Sequence, residues 1–340
     1  GHHVESIVSN STITAPVGDV SVTADDTSSI DATVESTSVA AALGFGGSVS
    51  IAVSLAEAEI TGGLRAVVQN STITTRDLTV RTDDTRSINV TAEASSIAAT
   101  GIGFAASGGG ARADISDTGL REALVSGGTI TLAGDATIEA VSDVSLDADI
   151  EVDSIAVGLF AIAGGGGVAD IDAGGTLRAQ VTGVNMTATN GTVSVQSDRT
   201  GTSRAAAQGM TVGTTAGVGA NTARVDTTTS VSALFGGSGS YNLGGLVVEA
   251  ASAPSGNNLL AEAVARASGG GILIGVQSTD AQLFNSSTVR AALTSGASIA
   301  VRGTLSVNAS SDSRQRANFW RFPRKLTLIG GRFPLIYSNL

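Results

Sequence analysis

Not one cysteine occurs in the 340 residues, so disulfides, thiolate metal sites and cysteine nucleophiles are all excluded. Histidine is confined to His2 and His3, which leaves the body of the chain without an imidazole base, a Ser/His/Asp triad or a histidine metal site. Lysine occurs once, at Lys325. Aromatic residues make up only 3% of the chain, so the 42% that is hydrophobic is mainly Ala, Val and Ile, joined by 44 glycines. Such a composition suits closely stacked sheets better than a core built on large side chains. Apolar residues are nowhere sustained at helical spacing, and no helix is expected.

The excess of acid, 30 acidic against 19 basic residues for a net charge of -11, repels phosphate backbones and argues against nucleic acid as a partner. Divalent cations remain compatible with it. A long cysteine-free chain of low complexity fits a bacterial exported protein, which avoids mispairing in an oxidising compartment. The opening GHHVES has neither an initiator Met nor a basic-then-apolar signal segment and reads as a mature product or an internal fragment.

What the sequence does have is a repeat. STITAPVGDVSVTADDTSSI at 11–30 returns as STITTRDLTVRTDDTRSI at 71–88, then as GTITLAGDATIEAVSDVSL and NMTATNGTVSVQSDRTGTS, with fainter copies beyond. The equivalent apolar position falls at Val22, Val80, Ile138, Val195, Val248 and Val307, in steps of 58, 58, 57, 53 and 59. An arginine keeps the same beat at Arg65, Arg121, Arg178 and Arg290, and a phenylalanine in a glycine-rich stretch does so at Phe45, Phe104 and Phe160. Within each unit, short alternating runs rich in Val, Ile and Thr are split by turn chemistry such as PVGD, TRD, AGD and TNG. A unit of this kind cannot bury its apolar face alone, and stacked copies share a continuous core. The expected fold is therefore all-β, a parallel β-solenoid of ~57-residue repeats. The units run about 1–64, 65–120, 121–177, 178–234, 235–289 and a partial 290–310. Three coils of about 19 residues per unit also fit the period, but markers that appear once per period favour one wide coil.

Three features stand out from the plain repeat. Stretches such as VAAALGFGGSVSIAVSLA (39–56) and SIAVGLFAIAGGGGVA (154–169) are apolar or tiny on both faces. They read first as strands covered on both sides inside the solenoid. The alternative is a strip for lateral association or for attachment to an apolar surface. Acids precede Arg65, Arg121 and Arg178 across a tight turn (Glu57 and Glu59, Asp114, Asp170 and Asp172), where the opposite charges are expected to face each other. A second acidic turn, Asp25 and Asp26, recurs as Asp83 and Asp84. It offers stacked oxygen ligands that calcium could use, without the bidentate Glu or the glycine- and aspartate-rich nonapeptide of known calcium loops. Threonine rows at Thr12, Thr14, Thr72 and Thr74 suggest a flat face for a glycan or for ice, although Thr is also a good strand residue.

An active site is a single constellation, whereas nearly every notable residue here is one rung of a ladder, so an enzyme is not expected. No cofactor is implied beyond the calcium candidate. Composition changes near residue 311, and residues 311–340 form a basic, aromatic tail with 6 of the 19 basic residues and 5 of the 11 aromatics. The tail reads as a cap, an assembly segment or an artefact of an interrupted repeat. The pattern of STIT, a short turn, DVSVTA and then Ala- and Gly-rich alternation resembles the repeats of giant bacterial filamentous adhesins, the filamentous haemagglutinin and leukotoxin-like surface proteins. That resemblance covers residues 1–310. It implies export to the cell surface and adhesion or matrix formation through a long right-handed β-helix. The partners it implies are other copies, along or between fibres, and cell-surface glycans or other cells.

Overall fold

The computed structural model describes residues 2–320, and among them every regular element is a strand. Residues 321–340, most of the basic tail, lie outside the described residues. The chain is a parallel β-solenoid in which one repeat makes one wide coil. In the first coil His3–Ser9 and Thr12–Ala15 form a leading side, with Asn10 between them at φ 50. The chain then turns through 16–19 and runs along Val20–Ile60. That strand doubles back at an irregularity between Ala42 and Phe45, where Gly44 has φ 89. The doubling is shown by Ser50 Oγ, which donates to the Ser38 carbonyl at 2.8 Å. Each coil is thus a flat two-layered blade, a long side facing a return side and a leading side. At about 3.3 Å per residue the 23 residues of Val20–Ala42 span roughly 75 Å.

Successive coils pair in parallel. Val20–Ile60 pairs with Leu78–Asp117, which pairs with Ala136–Val157 and Phe160–Ala173. Five coil-to-coil steps at about 4.8 Å stack to roughly 24 Å. Val22 lies beside Val80, Val80 beside Ile138, Ile138 beside Val195, Val195 beside Val248 and Val248 beside Val307. The repeat is therefore an axial row of inward side chains. Pairing continues past the change in composition, since Gln315–Trp320 lies beside Ala261–Arg266.

Two apolar cores fill the blade. The first lies between the leading side (Leu64, Ala66, Val68) and the start of the long side (Leu78, Val80, Ile138). The second lies between the rest of the long side (Ile88, Val90, Ala92) and the return side (Ala111, Ala113, Ile115). Toward the blade's apex the interior narrows to alanine: Ala98, Ala105, Ala156, Ala161 and Ala163. There Ser107 Oγ sits 2.7 Å from Ser154 Oγ across the two layers. A Cβ on Gly167 would overlap the Ile150 side chain and come within 2.8 Å of the Ala111 carbonyl oxygen. The abundance of Ala and Gly is the condition for this close approach of the two sheets.

The structure corrects four expectations. The stretches that are apolar on both faces are not covered on both sides: their inward residues pack, but Leu43 and Phe45 are 99% and 91% exposed, and Val49, Ile51 and Val53 are exposed beside them. Asp25, Asp26, Asp83 and Asp84 are not in turns but in the middle of long strands, where one member of each pair points outward and the other inward. Phe104 and Phe160 share a row, but Phe45 lies beside Ile102, two residues out of step, because of the irregularity at the apex. Arg121 does not share the row of Arg65 and Arg178. Glu122 does, and Arg121 lies beside Leu64 and Leu177. Successive strand residues point to opposite faces, so this offset of one residue turns Arg121 into the interior.

Candidate functional site

Three features of the coil carry chemistry: a buried ion network, outward rows of charge and an apolar apex. The network lies where the two cores meet, at the waist of the blade. Asp84, fully buried, accepts from Arg86 Nε at 2.6 Å, Arg121 Nε at 2.7 Å and Ser142 Oγ at 3.2 Å. Arg121 reaches across its own turn to Asp117 at 2.8 Å and 2.9 Å, and its Nη1 donates to the Gly119 carbonyl at 3.0 Å. Arg86 also bonds Asp26 at 3.1 Å. Burial opposes the charge on Arg121, but Asp117 and Asp84 outweigh it and hold the guanidinium above its ordinary value. Arg199 continues the inward row of Asp84 and Ser142 in the next coil. Its burial pushes it down to about 10, with Asp117 acting against that fall and Arg121 adding to it.

This arrangement decides what the acidic pairs do. Asp26 and Asp84 already face arginines, and the outward Asp83 bonds Arg81 at 2.7 Å. A calcium ion would have to displace guanidinium groups from them. Among the described residues no group of three or more Asp, Glu, His or Cys side chains is placed to hold a metal ion. The expected pairing of acid and arginine across the turn occurs at Asp117 and Arg121. Asp114 instead bonds Arg112, and Asp170 lies 4.0 Å from Arg224.

On the outer surface, charge alternates along the axis. One row reads Glu5, Arg65, Glu122, Arg178, Ser232, Arg290. Glu122 is held between Arg65, at 3.0 Å, and Arg178, and its side chain is 2% exposed although it lies on the outer face. A second row reads Asp31, Asn89, Asp147, Arg204, Glu262, Arg316. Alternation removes the repulsion that a column of like charges would suffer. Sequence reasoning missed Glu5 and Glu122 because it aligned arginines with arginines; the signal was present as acids spaced like the Arg marker. Asp117, Arg86 and Arg199 meet only because two sheets approach, which no spacing along the chain reveals. The threonine rows are in register, Thr12 beside Thr72 and Thr14 beside Thr74, and continue through Thr129 and Thr131.

A third outer row, Glu35, Glu93, Glu151, has no alternation. Burial, then Asp153 and Glu93, push Glu151 above the usual carboxylate range, and Asp149 is raised by burial first, then by Asp147 and Glu93. Asp170, Asp172 and Asp198 are also raised, each mainly by burial. A carboxylate raised on folding holds its proton more tightly in the native state. Its stabilising contribution is complete below the unfolded value of about 4 and is lost as pH rises through the folded value. Thermal melts are therefore expected to show a higher Tm near pH 5 than at pH 7. Glu151→Gln is expected to raise Tm at pH 7 and to reduce the difference. A Tm that falls steadily from pH 7 to 5 would contradict this.

The apex of the blade carries exposed apolar side chains in every coil among the described residues. Outward rows run along the axis as Val39, Ile97, Ile155, Val212 on the long side and as Val49, Ala106, Ile162, Ala216, Ile274 on the return side. Between them stand Leu43, Phe45, Leu159, Ile272 and Leu273, all exposed. Beyond the Phe104 and Phe160 ridge and the Ala106 and Ile162 row lies a shelf of outward glycines, Gly108 beside Gly164 and Gly110 beside Gly166. No family model matches the chain, and neither does any curated protein or solved structure.

Proposed function

We propose that the chain is a structural and adhesive segment of a secreted bacterial surface or matrix fibre, and that its apolar apex is the adhesive surface, occupied by the apex of a second copy. The observation that supports this is the exposed apolar strip repeated in each coil, with several Val, Ile, Leu and Phe side chains at least 40% exposed. A soluble monomer seldom leaves so continuous an apolar patch uncovered. A strip that gains the same rungs with each coil strengthens association with length, as multivalent contacts do.

A second copy fits better than a lipid surface. Acids border the apex on both outer faces, Glu35, Glu93 and Glu151 on one and Glu57, Asp114 and Asp170 on the other, and they repel anionic headgroups. A two-fold axis over the Ala106 and Ile162 row would set the Phe104 and Phe160 ridge of each copy on the glycine shelf of the other. Burial of apolar area is insensitive to screening, so this contact should survive salt.

Sedimentation of the chain in high salt is expected to show lateral dimers. Replacing Phe104, Phe160 and Ile162 together by serine is expected to abolish them and shift Tm little, because all three side chains are already exposed. A wild-type chain that stays monomeric in high salt at high concentration would overturn the adhesive role of the apex. Electron micrographs of cells that make the protein, labelled against this chain, test the fibre itself: label confined to the cytoplasm would overturn it.

A further inference from the structure

We infer that the waist of the blade binds a small monovalent anion beside Arg199, inside the coil and away from the faces that carry the adhesive role. The waist holds more buried positive than negative charge. Asp84, Asp117, Arg86, Arg121 and Arg199 are each no more than 6% exposed, so three cations share the interior with two anions. Asp26 brings a further carboxylate at the margin, but it already bonds Arg86 and lies three rungs from Arg199 in the same inward row. At about 4.8 Å per rung that separation is roughly 14 Å.

The missing anion belongs to the fourth coil. In the second coil the guanidinium groups are matched, since Arg86 and Arg121 both bond Asp84 and Asp117. Two coils on, every row at the waist has lost its carboxylate. The row of Asp84 passes through Ser142 to Arg199 and then to Ser252, so the rungs on either side of Arg199 bring hydroxyls and no charge. Across the waist Arg121 gives way to Leu177 and Val231, and Asp117 to Ala173 and Thr227. Among the described residues Arg199 has no carboxylate partner: Asp117 attracts it without a hydrogen bond, and Arg121 repels it.

Loss of the proton does not relieve this charge. Burial lowers Arg199 only to about 10, so the guanidinium is cationic at neutral pH. An ionised group held away from water needs a counter-charge, and the chain supplies none at this level. One excess positive charge calls for one negative charge. The ion must also be small, because the waist is narrow: a Cβ on Gly175 would come within 2.7 Å of Arg121 Nη1 and 2.9 Å of the Gly119 carbonyl oxygen. A halide such as chloride meets both conditions and does for Arg199 what Asp84 does for Arg86 and Arg121.

Thermal melts in sodium chloride and in sodium gluconate at equal concentration separate binding from screening, because gluconate carries the same charge but is too large for the waist. The Tm in chloride is expected to pull ahead of that in gluconate by roughly 2 °C or more for each tenfold rise in concentration once the site fills. Both salts screen alike, so association at the apex affects the two melts equally. Arg199→Gln should abolish the difference, together with the broadening of the chloride NMR signal that the wild-type chain produces. Arg199→Met, similar in length and apolar, is the second variant: it should fold without chloride, melt in gluconate no lower than the wild type and show no chloride response. Arg204→Gln, on the outer face of the same strand, should keep the full response. Equal melting of the wild type in the two salts would overturn the site. So would a chloride response that survives in either Arg199 variant, or one that Arg204→Gln removes as well.

Discussion

Replacing Asp84 by alanine is expected to destabilise the fold by about 3 to 5 kcal/mol, the usual consequence of removing one partner from a buried ion pair. Asp84 is fully buried and accepts from two guanidinium groups, on Arg86 and Arg121, neither of which can reach water from the waist of the blade. Its loss leaves two cations sharing Asp117 and the more exposed Asp26. The loss is uncompensated because the nearest remaining groups without charge, Thr82 and Ser142, offer only hydroxyls, and beyond them the inward row turns apolar at Val80 and Ile88. Denaturant unfolding followed by circular dichroism measures the effect. The control is Asp25→Ala, one residue outside the same inward row on the exposed face, which should change stability by no more than about 0.5 kcal/mol. Equal losses at Asp84 and Asp25 would show that the network contributes nothing specific.

That contrast also marks what the sequence discloses and what it withholds. The solenoid, its period and the inward row from Val22 to Val307 were legible because a stacked fold repeats one environment, and each environment selects the same residue type. Alternation links Val22 to its apolar equivalents, but the acidic pair Asp25 and Asp26 interrupts it and reads as a turn, although the strand runs on through both. The meeting of Asp84 with Arg121, 37 positions apart on different sides of the coil, was not legible, because it depends on how the leading side packs against the long side. The exposed apex was misread for a related reason. An apolar residue type does not say which layer, if any, lies over it, and here no layer of the chain covers the outer face among the described residues. Arg121 was misread by one residue: LRA and LRE look alike in the sequence, yet the shift moves the arginine from an outer charge row to the interior.

Gly119→Ala is expected to be the second most damaging substitution, and the reason lies in how the turns between coils stack. A Cβ at Gly119 would overlap the carbonyl oxygen of Gly62 in the coil below, just as one at Gly62 would overlap that of His2. The obstacle is backbone already held in the ladder, so it cannot rotate away, and overpacking of this kind costs about 1 to 3 kcal/mol. The turn must also keep its place for Arg121, whose Nη1 is held by the Gly119 carbonyl while Nη2 reaches Asp117. Displacing it therefore strains the buried network as well, and the loss should approach that of Asp84→Ala. Gly164→Ala supplies the comparison: on the outer shelf an added Cβ meets nothing within 4 Å, and fewer unfolded conformations should leave it neutral or more stable by about 0.4 to 1 kcal/mol. If both alanines shift the unfolding midpoint alike, steric stacking of the turns is not what fixes the coil. If Gly119→Ala alone collapses it, the turn column and the ion network act as one unit that sets the register of the blade.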